Sequence, residues 1–327
     1  AAEARGARGR RRRRQRVTDD APAAPCCGLL DTPLPALDDP EGARLPDALP
    51  PVIDAHVHLF PDRVFDAIWR WFGTHGWPIR YQLHAHRVVE FLVSRGVEHV
   101  VGLHYSHRPG MAAELNRWMA EFAASQPHLV PLATVLPGEP GAAGILRDAF
   151  RAGLRGVKLH CHVQAFSVDS PEMDALYAVC VEHDRPMIIH AGREPRSPAY
   201  PVDPHTICDA DRVDRVLRAH PTLRLCVPHL GVDEFKEYGH LLERHDGLYL
   251  DTTMTLADYF DVERPDWLLG VRPDRILYGT DFPNLPYAWD REIVRIAEMG
   301  LPEVDLAALL GGNARALYGA PGLEPIA

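Results

Sequence analysis

Two histidines separated by a single residue, His56 and His58 in PVIDAHVHLF (51–60), are the first residues in the chain whose types and spacing suggest chemistry. Val52–Val57 reads as a buried strand, and side chains alternate faces along a strand. The two imidazoles therefore point the same way at the strand's exit, where both can reach one metal ion. Neutral imidazole is the commonest protein ligand for zinc. Taken alone, a His-x-His pair is as well explained by ordinary polar residues at the end of a strand. What raises it above that is recurrence, because later apolar strands also end in residues of ligand type.

Those strands alternate with helices. After the first come HVVGLHY (99–105), LVPLATVLP (129–137), RGVKLHCH (155–162), PMIIHAG (186–192), RLCVPHLG (224–231), GLYLDTTM (247–254) and ILYGTDFP (276–283). Helical periodicity falls between them, over Val64–Phe72, His86–Arg95, Ala112–Ser125, Gly144–Ala152, Glu172–His183, Ala210–His220, Asp233–Glu243 and Ala257–Leu269. Two further helices, Trp289–Met299 and Val304–Leu310, finish the chain. Strands that are apolar throughout and each followed by a helix call for a parallel sheet buried on both faces. Eight such units predict an α/β fold, a closed (β/α)8 TIM barrel. An open doubly wound sheet is the competing architecture, but the turn after its first strand is usually glycine-rich, and here it is His-Val-His-Leu-Phe.

Barrels of this kind carry their active site at the C-terminal ends of the strands. Read in order, those ends supply His56 and His58, then His104 and His107, then Lys158, His160 and His162, then His190, His229 and Asp281. DAHVHLF, GVKLHCHVQAF, IIHAG, VPHLG, LYGTDFP and LLGGNARALYG together resemble the amidohydrolase superfamily, in its amidohydrolase-related branch, over about Pro51 to Gly319. That branch also contains metal-dependent decarboxylases such as aminocarboxymuconate semialdehyde decarboxylase. The resemblance implies one divalent metal held by His56, His58, His190 and Asp281, with His229 as an acid/base beside the bound water. Zinc suits the imidazole-rich set, with manganese or iron as alternatives. It also implies an alternative for Lys158, a carbamylated bridge to a second metal shared with His190 and His229. The reading preferred is a single metal, with Lys158 as a cation in the substrate pocket, joined there by His160, His162 and Arg193.

Three imidazoles and a carboxylate leave a position open for water, and the metal lowers that water's pKa towards about 7. The expected function is hydrolysis of a C–N or C–O bond in an amide, lactone or ester by metal-activated water, with Asp281 and His229 as catalytic residues. Non-oxidative decarboxylation of an unsaturated or aromatic acid uses the same ligands and is the alternative. A metal-binding barrel without catalysis is a third reading. Trp69, Trp71, Phe72 and Trp77 follow the first strand and suggest an aromatic wall, though helix packing explains them equally well.

The rest of the chain sets bounds. At 327 residues and 46% hydrophobic it can bury a large core, and a net charge of −10 argues against a nucleic-acid groove. The partner expected is a small molecule, an anionic one if the pocket cations contact it, and a homodimer is compatible with the sequence. No apolar run reaches the roughly 20 residues of a membrane span. Six irregularly spaced cysteines do not form a disulfide framework, so a reducing, cytoplasmic location is expected. Residues 1–48, with the run GRRRRRQR (9–16) and a Pro/Ala-rich continuation, are expected to be a disordered tail dispensable for folding, with the barrel occupying 49–327. The first methionine is Met111, so the true N-terminus is expected to be missing or to lie at a non-AUG codon near Val17 or Val52.

Overall fold

The computed structural model describes residues 37–193, 199–259 and 263–319. Eight parallel strands follow in chain order: β1 (Ile53–His58), β2 (His99–Leu103), β3 (Leu129–Pro131), β4 (Val157–His160), β5 (Met187–His190), β6 (Leu225–Val227), β7 (Leu248–Asp251) and β8 (Ile276–Leu277). Regular pairing gives two sheets, β1-β2-β3 and β4-β5-β6-β7-β8. Two isolated parallel bridges, Ala133 with Val157 and Val57 with Phe282, link β3 to β4 and the extension of β8 back to β1. The fold is the TIM barrel expected from the strand–helix alternation.

The helices are α1 (Asp62–His75), α2 (Ala85–Ser94), α3 (Ala112–Ala123), α4 (Ala142–Arg151), the single turn α5 (Cys161–Gln164), α6 (Pro171–Glu182), α7 (Ala210–Ala219), α8 (Phe235–Arg244), α9 (Arg291–Glu298), α10 (Glu303–Ala307) and α11 (Asn313–Tyr318). One apolar cluster fills the layer between strands and helices. A second comprises Ile53, Ala55, Val101, Leu103, Val130, Leu132, Ile188, Cys226, Tyr249 and Leu277, with Ala314, Leu317 and Tyr318 of α11. Its members come from every strand region except β4, which is the composition of a barrel lumen. The missing β4 place is taken by Lys158, paired in register with Ile188 and fully buried.

The seam between the first and last strands positions the histidine pair. Ala55 N–H donates to Tyr278 O (2.9 Å), Asp281 N–H to His56 O (2.9 Å) and His58 N–H to Phe282 O (2.8 Å). Asp54 reinforces it by accepting from Thr280 Oγ1 at 2.6 Å and Thr280 N at 3.1 Å. Burial pushes the Asp54 carboxyl up to about 7, although Thr280 and the His56 amide pull it down. Gly279 is required here, since a Cβ would lie 2.7 Å from the His56 Cβ and 2.6 Å from Thr253 Oγ1.

Two expectations need correction. Ala257–Leu269 is not a helix among its described residues: the chain turns through Asp258, which has φ 49°, and only a short 3-10 turn forms at Asp266–Gly270. The buried Glu292 carboxylate accepts from Met254 N and Leu256 N and holds the segment in its turn, and Pro265 interrupts it further. The tail boundary at residue 48 is also wrong. Residues 1–36 lie outside the described residues, but 39–45 pack on the barrel. Asp39 pairs with Arg291 at 3.0 Å, Gly42 bonds Asp290 and Trp289, and Leu45 is buried with its amide on Arg95 O.

A chain beginning at Leu49 should therefore melt on the order of 5 °C below one beginning at Leu37. Burying a leucine is worth about 1.5–3 kcal/mol, and each kcal/mol moves a domain of this size by about 2–4 °C. Thermal melts of the two truncations check this, and equal melting temperatures would show that the segment contributes nothing.

Candidate metal centre

His56, His58 and Asp281 converge at the C-terminal end of the barrel, each offering one ligand atom within 4.8 Å of the others. His58 Nε2 lies 2.9 Å and His56 Nε2 3.4 Å from Asp281 Oδ1. Burial alone would raise the Asp281 pKa, but His58 and then His56 outweigh it and hold the carboxyl well below the usual carboxylate range. Asp281 adopts φ 74° and His229 φ 56°. Non-glycine residues in this left-handed region cost free energy and cluster at functional sites.

The tautomers are set from behind. His56 Nδ1 is 2.9 Å from Asp251 Oδ2, so it donates to that carboxylate and presents the Nε2 lone pair to the centre. A carboxylate behind an imidazole in this way fixes the ring and raises the basicity of the ligating nitrogen. Asp251 also accepts the His229 amide at 3.3 Å. His229 Nδ1 donates to Thr253 O at 2.9 Å, leaving a buried Nε2 with no hydrogen-bond partner among the described residues. Asp251 was not among the residues expected at the site. It is nonetheless the polar end of β7, and the strand-end rule that selected the histidines applies to it equally.

Lys158 was expected in the substrate pocket and is not there. It belongs to the barrel lumen, where Nζ lies 3.2 Å from His56 Nε2. Burial lowers its pKa to about 8, with Asp251 and then Asp281 opposing the shift. Arg193 is also absent from the cavity lining. It pairs with Glu234 at 3.2 Å and lies 3.9 Å from Asp233, and its own amide donates to Glu234. His162 does not line the cavity either, because β4 ends at His160 and the turn of α5 rotates His162 towards Cys208, 3.2 Å from its Sγ. His104 is buried against Asn116, 3.2 Å away, while His107 does line the cavity.

His160 and His190 stack with ring centroids 4.1 Å apart, and His190 lies 4.6 Å from His229. His190 does not join the three-residue cluster at its close separation, but it lines the same cavity as His58, His160, His229 and Asp281. Burial first, and then neighbouring His229, His162 and Lys158, keep His190 neutral. Gln164 fastens the β4 exit, accepting the His160 amide and donating to Ser106 O and Val135 O, all at 2.8 Å. The donor set fits a divalent ion. It offers two imidazoles with a carboxylate, a further neutral imidazole nearby and His229 Nε2, which has no hydrogen-bond partner among the described residues.

The amidohydrolase family (Amidohydro_2) matches residues 53–320. An uncharacterised TIM-barrel protein from Bordetella bronchiseptica is 21% identical, covering 82% of this chain and 98% of that one, with a TM-score of 0.65. The 5-carboxyvanillate decarboxylase of Novosphingobium aromaticivorans, complexed with manganese and 4-hydroxy-3-methoxy-5-nitrobenzoic acid, is 15% identical. The match covers 87% of this chain and 99% of that one, with a TM-score of 0.60. The 4-oxalomesaconate hydratase of Rhodopseudomonas palustris is 15% identical, covering 82% and 95%, with a TM-score of 0.55. At these identities the likeness to solved structures bears on the fold. No curated protein matches the sequence significantly.

Asp251→Asn should keep the fold but weaken divalent-metal binding by about 10–100-fold, the usual cost of losing a partner behind a ligating histidine. Competition against a chromogenic chelator measures this. An affinity equal to the parent's would show that Asp251 does not prepare His56.

Proposed function

The chain belongs to the amidohydrolase family, and from that premise we propose a metal-dependent hydrolase that adds water across a C–N or C–O bond of an amide, lactone or ester. The observation that carries the proposal is the meeting of His56, His58 and Asp281 within 4.8 Å of one another, with His58 and Asp281 on the floor of a cavity that His229 also lines. His56, His58, Asp281 and His190 would hold a single divalent ion, zinc on the chemistry of the donors, with manganese or iron able to serve. Among the described residues one group of three His, Cys, Asp or Glu side chains closes to within 4.8 Å, and the reading takes one ion there; two ions with a carbamylated Lys158 is the alternative. When bound, the ion supplies Lewis acidity to the scissile group and lowers the pKa of water.

The protein's part is positioning and proton transfer. His229, its Nδ1–H held by Thr253 O, offers Nε2 as proton acceptor on the cavity side. The oxygen of water bonds to the acyl carbon, its proton passes to His229 or Asp281, and that proton leaves with the departing nitrogen or oxygen. Lys158 acts from the lumen and supplies positive charge beneath His56 rather than touching substrate. Decarboxylation of an unsaturated or aromatic acid remains the second reading, favoured by the aromatic cavity wall of Trp71, Phe72 and Trp77. Buried free Cys161, Cys180, Cys208 and Cys226 support a reducing compartment such as the cytoplasm. Among the described residues no helix is long and apolar enough to cross a membrane.

Elemental analysis should find about one divalent ion per chain in the parent, and substantially less in both His56→Ala and Asp281→Ala. Parental metal content in both variants would remove the assignment. Screening small esters, lactones, amides and aromatic acids in oxygen-18 water separates the two reactions. Label in the product acid is expected, whereas release of CO2 without label would establish decarboxylation instead. With whichever substrate emerges, His229→Asn should retain its metal and lose about 10²–10⁴-fold in rate. Loss of the ion in that variant would make His229 a ligand.

A further inference from the structure

Above the metal centre the cavity extends to about 510 Å³, the size of a site for a drug-sized molecule. Phe60, Ile68, Trp71, Phe72 and Trp77 give it apolar walls, and Asn284 lines it together with them. Asn284 stands one turn beyond Asp281. Its amide N–H donates to Asp281 O at 2.9 Å, and its own carbonyl accepts from Trp77 Nε1 at 2.6 Å. Both backbone groups of the residue are therefore in use, and Arg80 N–H fixes the next one by donating to Leu285 O at 2.8 Å. The Asn284 side chain is different. The residue is 2% exposed, and Oδ1 is buried with no hydrogen-bond partner among the described residues. An asparagine that built the turn would use that oxygen on a nearby main-chain N–H. Here the main chain and Trp77 hold the turn, and the side-chain oxygen takes no part in it.

Resting on the hydrolytic reading of this site, we infer that Asn284 is its specificity-determining residue, accepting a hydrogen bond from an N–H of the substrate, so that amides are the class taken rather than esters or lactones. A buried amide oxygen without a donor is unfavourable, and a substrate that brings the donor removes that cost on binding. The turn of the side chain that presents Oδ1 to a ligand is a soft one, because χ2 of asparagine joins sp³ to sp² carbon. An ester or lactone carries the carbonyl of an amide but has oxygen where the amide has N–H, and it leaves Oδ1 unpaired. Sites that pair a substrate N–H or O–H reject the analogue lacking it far more strongly than an apolar pocket rejects a missing methylene. The contacts of Asn284 with Asp281 and Trp77 keep it beside both the metal centre and the aromatic wall on which a flat substrate body packs.

The test uses the zinc-loaded full chain and one matched pair, N-methyl-2-naphthamide and methyl 2-naphthoate, which differ only in N–H against O. Calorimetric titration should find the amide bound at least tenfold more tightly than the ester. An amide carbonyl is also the better metal ligand, so the preference is measured again in Asn284→Leu and Asn284→Ala, with zinc content checked in each. In both it should fall at least fivefold, through weaker binding of the amide. Two variants are used so that a failure of one to fold leaves the other. Equal or tighter binding of the ester to the parent overturns the inference, as does an undiminished preference in a variant that keeps its zinc. Absence of binding by the amide overturns it too. If the preference depends on Asn284 but neither compound takes up oxygen-18 from water, the hydrolytic reading fails and recognition by Asn284 stands.

Discussion

The structure depends most on the closure of the barrel between its first strand and its last. His56 and His58 lie 223 or more residues away from Asp281 or within two of each other, and only the β1–β8 seam turns that spacing into one site. Three main-chain hydrogen bonds run directly beside the two histidines, and Asp54 reaches across to both the amide and hydroxyl of Thr280. Gly279 permits the approach, because any side chain there would strike His56 and Thr253. The cost of closing so long a loop falls on the whole fold, so the site inherits its geometry from the barrel rather than from local sequence.

Behind the seam sits an arrangement of buried charge that is rarely tolerated without purpose. Asp251 and Asp281 both titrate below the ordinary carboxylate range, each helped by nearby imidazoles, and Lys158 is the cation beside them. Two carboxylates and one ammonium leave a net negative charge in a low-dielectric lumen, which a divalent cation at the neighbouring imidazoles would offset. Asp251 does two things at once, fixing the His56 ring through Nδ1 and holding the backbone of His229. Thr253, two residues on, fixes the His229 ring. The exit of β7 therefore orients a candidate ligand from β1 and a candidate acid/base from the end of β6. Glu292 of α9 supports the same loop by accepting from Met254 and Leu256.

Much of this was legible in the sequence because strands impose a period of two and barrels place function at one end of them. The apolar runs gave the eight strands in order, and their terminal residues gave His56, His58, His190, His229 and Asp281. Asp251 was not expected although LYLD ends as the others do, and it serves from behind, against His56 Nδ1, rather than in the cavity. Lys158 was placed in the pocket because the chain does not reveal which inward-facing residue of β4 lies deep and which lies at the rim. His162 was misplaced because the helical turn after His160 breaks the strand's alternation. The docking of residues 39–45 left no periodic signal: it rests on single polar contacts and one leucine, each partnered by residues far along the chain.

The most direct test of the account is a crystal structure of the metal-loaded protein with anomalous diffraction recorded on either side of the bound metal's absorption edge. A single anomalous peak within coordination distance of the Nε2 atoms of His56 and His58 and of the Asp281 carboxylate is the result predicted. Its distance to His190 would then decide whether that ring moves in as the fourth ligand. A peak bound by other residues, or two peaks bridged through Lys158, would contradict the single-ion centre built on the β1–β8 seam.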